Sequence, residues 1–189
     1  MVDPAGGVLI RVASLLRRPR DLPAGPAEDV YRAGEALALG LDMALAAAGI
    51  RRTSLIGQRA NRVAFAESWT PPGGWAHFAA RLQGGPGAPP GRFPHLLDHA
   101  APPWYYVPRE FAQPLWLPEP QPQSHAGPAP RRTLSVGSVP ALARELEELE
   151  PFLAAQGLDP QLWFPAPLLE ATAVSLETGL VITVLSIKS

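Results

Sequence analysis

The chain has 189 residues, 47% of them hydrophobic, enough for one well-buried domain but tight for two, and its 24 prolines and 17 glycines predict long loops. Charged residues make up only 17%, the formal net charge is −1 and cysteine is absent. A long-range field for nucleic acid or anionic membranes, disulfides, thiolate chemistry and cysteine-ligated zinc are thereby excluded.

In chain order, "VLIRVASLL" (8–16) predicts an opening strand, closed by the turn-rich "RRPRDLPAGPAED". Between Glu28 and Ala48 the residues Val30, Gly34, Leu37, Leu41, Leu45 and Ala48 recur at steps of three and four. Glu28, Arg32, Glu35 and Asp42 hold the opposite stripe, which predicts an amphipathic helix stopped by Gly49. "RTSLIGQ" and "NRVAFAESW" are short enough for a hairpin, and "PPGGWAHFAARLQGG" for a short helix bounded by glycine. "GGPGAPPGRFP" reads as a loop.

Next come "WYYV" and "PLWL", with strand chemistry that Pro102, Pro103, Pro108 and Pro114 restrict to short or edge positions. Pro118 to Arg132 is expected to be a mobile loop. Ser138 is placed to cap a helix in "SVPALARELEELE", whose Val139, Leu142, Leu146 and Leu149 line one side, and Pro151 is expected to break or kink it. "APLLEATAVSLETG" predicts another helix with a stop at Gly179, and "LVITVLSI" an interior strand, apolar on both faces. The fold class is therefore α+β: a single domain over 1–189, with a mixed or antiparallel sheet packed by about four helices. No apolar run approaches the ~20 residues that cross a membrane, and the N-terminal run lacks a basic flank, so a soluble cytoplasmic protein is expected.

Chemistry is sparse. In "HLLDH", His95 and His99 would share a helical face beside Asp98, the spacing of a metal site, yet this gives too few ligands and lacks the glutamate that activates water. Ser135 or Ser138 with a histidine base would make a hydrolase, but "LSVGSVP" lacks the second glycine of a nucleophile elbow. "GGPGAPPG" has too few amide donors and no lysine for a phosphate cradle. Glu145, Glu147, Glu148 and Glu150 read either as an acidic docking face or as the solvated side of a leucine-striped helix. The tyrosines and tryptophans around 104–116 suit a partly exposed binding surface, where Arg109 and Glu110 could orient a partner's polar groups.

"HLLDHAAPPWYYVPREFAQPLWL", followed by "VGSVPALARELEELEPFLAAQGL", resembles a group of small bacterial cytosolic proteins akin to the immunity or accessory proteins of toxin and conflict systems. The resemblance covers roughly residues 95–179; this chain has Glu110 where an aspartate is expected before Phe111. It implies no catalytic residue and no cofactor.

The leading expectation is a non-enzymatic module that binds a protein partner, not nucleic acid or membrane, through Trp104, Tyr105, Tyr106, Arg109, Glu110 and Trp116. One alternative is a small metal-dependent hydrolase using His95, Asp98 and His99. Another is a homodimer joined partly through Leu39 and Ala46 on the outer face of the first long helix.

Overall fold

The computed structural model describes residues 6–14, 26–50, 63–84, 91–99, 103–118 and 133–187. Its elements follow the order β1 (Val8–Ala13), α1 (Pro26–Ala47), β2 (Val63–Trp69), α2 (Gly74–Gly84), α3 (Pro94–Leu97) and β3 (Trp104–Val107). The second half holds β4 (Leu115–Pro118), β5 (Thr133–Ser138), α4 (Val139–Ala155), α5 (Pro160–Trp163), α6 (Ala166–Thr178) and β6 (Val181–Ser186). This is the expected α+β domain. The proposed strand at 52–58 and the loop at 119–132 lie outside the described residues.

The strands form one six-stranded sheet in the order β2-β1-β6-β3-β5-β4. Every neighbouring pair is antiparallel except β3 and β5, which run parallel. β6 lies inside the sheet as its two-sided apolar pattern requires, pairing with β1 on one side and β3 on the other. β2 pairs with β1.

Two layers cover the sheet. On one face Ile10, Val12, Trp104, Tyr106, Ile182 and Val184 pack with Phe78 of α2, Leu96 of α3, Leu142, Leu146, Leu149 and Leu153 of α4, and Leu168 of α6. On the other, Tyr105, Val107, Leu134, Val136 and Val181 pack against Ala38, Leu41 and Leu45 of α1. Strand alternation sends odd and even residues of β3 to these separate cores. The outer side of α1 leaves Leu39, Met43 and Ala46 exposed.

At two places proline restricts the chain less than it could. β3 is short but not an edge strand, because it is paired on both sides; Pro103 and Pro108 flank it and remove no amide from its ladder. β4 takes the edge instead. Pro151 lies inside α4 without ending it: the helix continues to Ala155, the proline is exposed, and its missing N–H removes one i→i−4 bond that the turns on either side outweigh.

Candidate functional site

The aromatic stretch does not form the surface its composition suggests. Trp104 and Tyr106 are 0% exposed and Tyr105 only 9%, so their rings have no face to offer a partner. The reason is the interior position of β3, with helices on both sides. Trp116, on the edge strand β4, is exposed, Arg109 is half-buried and Glu110 is exposed. The six residues are therefore split between core and surface.

Beneath α3 the buried side of this region holds a polar cluster. The backbone N–H of Ser138 donates to Nδ1 of His95 at 3.0 Å, which fixes that nitrogen as an acceptor. Nε2 of His99 meets the carbonyl oxygen of His95 at 2.5 Å and must carry the proton there, so Nδ1 accepts from the Ser135 hydroxyl at 2.8 Å. His99 also stacks on Trp104, with ring centroids 5.1 Å apart and planes at 7°. Burial lowers both histidines, His99 to about 4, and keeps them neutral at physiological pH.

This arrangement answers the catalytic alternatives. The ring nitrogens of His99 and the Nδ1 of His95 are committed to internal partners, and Asp98 points to solvent, so the three residues do not converge on an ion. No group of three metal-ligating side chains occurs among the described residues. Ser135 and His99 do make a serine–imidazole pair, but Ser135 is 0% exposed and no substrate carbonyl can reach it. Ser138 caps α4, its hydroxyl accepting from the Ala141 N–H.

Glu145 was legible only as one of four helix-face glutamates. In the structure its two carboxylate oxygens accept from the His95 and Leu96 N–H groups, at 3.0 and 2.8 Å, tying α4 to the first turn of α3 across fifty positions of sequence. Burial pushes its pKa up to about 7, against the pull of those two donors. Nothing in sequence spacing announces such a contact.

The remaining glutamates behave differently. Glu147, Glu148 and Glu150 on α4, Asp159 at the start of α5, and Glu170 and Glu177 on α6 are all exposed. Residues 139–178 contain seven acidic residues and one basic residue, Arg144, while the rest of the chain contains ten acidic and fifteen basic. Arg144 is itself taken up by Glu110, with bonds of 2.5 and 3.1 Å, and the guanidinium holds Glu110 below the usual carboxylate range. Glu148 lies 3.9 Å from Arg92. Among the described residues, Glu147, Glu150, Glu170 and Glu177 make no ion pair.

The near-zero net charge thus hides a separation. α4 and α6 pack side by side and present an acidic layer to solvent, a signal that a windowed charge count would have found and the whole-chain total concealed. No curated protein and no solved structure matches the chain. Residues 9–184, which include both helices of the acidic layer and nearly all of the sheet, match the family model described as "Putative DNA-mimic protein", and the chain belongs to that family.

Proposed function

We propose that the protein binds a DNA-binding protein and occupies its nucleic-acid surface, with carboxylates of α4 and α6 standing where DNA phosphates would otherwise sit. The observation that carries this reading is the concentration of acidic residues in 139–178 on exposed positions, with the single arginine of that segment already paired. Family membership supports the same partner class. Because the whole chain is nearly neutral, attraction acts at short range, within the ~8 Å over which charges are felt at physiological salt.

A role in binding also suits the interior of the molecule, where the histidines and Ser135 serve to hold α3, β5 and α4 together. The immunity-like role implied by the sequence resemblance would be a special case, with a DNA-cleaving toxin as the partner. Trp116 and Glu110, the exposed members of the aromatic segment, would lie outside the acidic layer's two helices and are not needed for this reading.

The test is competition. The immobilised full chain retains its partner from a lysate, and duplex DNA is added at constant ionic strength. Release of DNA-binding proteins by DNA, and loss of their retention in a Glu147→Lys, Glu150→Lys, Glu170→Lys, Glu177→Lys variant, is the expected result. If DNA releases nothing that the chain had retained, the proposal is wrong.

A further inference from the structure

The outward face of α6 is not uniformly polar. Leu169, Ala173 and Leu176 recur at steps of four and three and so share one side of the helix, with the leucines 38% and 49% exposed. Glu170 and Glu177 each follow a leucine of this row by one position and are exposed beside it. Leu162, on α5 just before α6, is 59% exposed. A helix face that only meets water would carry polar side chains at these places.

We propose that this seam docks an amphipathic helix of the partner, one with an apolar stripe flanked by lysine or arginine. The inference rests on the proposed function and deepens it by assigning the contact helix and the chemistry of what it receives. From Leu169 to Leu176 the seam spans about 10 Å at ~1.5 Å per residue, two helical turns, the distance over which a docked helix presents its i, i+3 or i+4, and i+7 residues. The apolar row supplies the anchor, and Glu170 and Glu177 set register against the basic flanks.

Charge decides against a second copy of this chain as the occupant. Residues 160–178, α5 and α6, contain no basic residue, so a two-fold pairing of α6 with itself would bring Glu170 and Glu177 toward their own counterparts with nothing to compensate. Area points the same way. A stable interface buries about 800 Å² per partner, far more than two leucines and an alanine provide, so the carboxylate border has to take part and needs cations opposite it.

Calorimetry on the intact protein tests this with a synthetic helical peptide that bears leucines on one face and lysines along both flanks. Replacing the peptide's leucines by serine, or its lysines by glutamate, should weaken binding about tenfold or more each. Leu169→Asp with Leu176→Asp should do the same while the melting temperature holds; Leu169→Ser with Leu176→Ser replaces that pair if the aspartates unfold the chain. Equal binding of the serine peptide, or undiminished binding by the seam variants, overturns the inference, as does a wild-type dimer in sedimentation equilibrium that the seam variants dissolve. The DNA competition separates the two claims. Partners released by DNA from wild type and seam variant alike leave the proposed function standing and remove the seam; peptide binding at the seam with no DNA-releasable partner removes the proposed function alone.

Discussion

At the level of single residues, Gly137 has the most constrained position in the polar cluster. A Cβ there would come within 2.4 Å of the Tyr106 ring, because the two residues are direct partners in the parallel β3–β5 pairing and the ring lies across the glycine. Gly137→Ala should therefore cost about 1–3 kcal/mol, the usual range for overpacking, read as a lower denaturation midpoint with unchanged slope. The titrating residues make a second prediction. Burial depresses His99 from 6.5 to about 4, so the stability that goes with its neutral form is complete above pH 6.5 and is lost as pH falls toward 4. His95 is shifted the same way. Glu145 has the opposite sign: raised from 4.5 to about 7, it contributes stability that is complete below 4.5 and lost as pH rises through 7. Between pH 4.5 and 6.5 the glutamate partly offsets the histidines. Glu145→Gln removes the offset, so denaturant titrations across that window should show a steeper fall toward acid than in the wild type; an equal or shallower fall would refute the assignment.

At the level of elements, α4 shows how far local sequence reaches. Ser138 was legible as its cap and Val139, Leu142, Leu146 and Leu149 as its buried stripe, because capping and helical periodicity are properties of neighbouring residues. The interior place of β6 was legible for the same reason, since a strand buried on both faces lacks regular polar alternation, and from Val181 to Leu185 only Thr183 is polar. The position of β3 was not. Its flanking prolines suggested an edge, but whether a strand is interior depends on which distant strands pair with it, and here those are β6 and β5. The expectation that its aromatics would be partly exposed followed from that edge placement, and the interior position buries them instead. Glu145 was hidden likewise, since its partners are backbone amides of α3. Two substitutions test the account of α4. Ser138→Ala should cost about 1 kcal/mol through the lost cap while leaving the Ser138 N–H bond to His95 in place. Pro151→Ala should raise the melting temperature, because it restores an amide to a helix that already passes through that position.

Across the whole molecule, charge and topology are both organised over distances that composition cannot report. The acidic layer of α4 and α6 emerges only once residues 139–178 are separated from a remainder with a basic surplus. The sheet has a comparable division. β2 and β1 form one part and β3, β5 and β4 another, and the six residues of β6 are what join them. Both parts precede β6 in the chain, so during synthesis the strands of both half-sheets emerge before the joining strand, and without it each half has an open edge. Deleting 181–187 should leave a chain that unfolds without a single cooperative transition and aggregates through those edges, measurable by calorimetry and light scattering. The same arrangement brings Val8 opposite Ser186, the two ends of the sheet-forming chain, across one strand spacing. A short linker could join them and new termini be opened at the exposed turn around Gly157, converting the late joining strand into an early one. In such a circular permutant the order of synthesis would no longer oppose the order of the sheet.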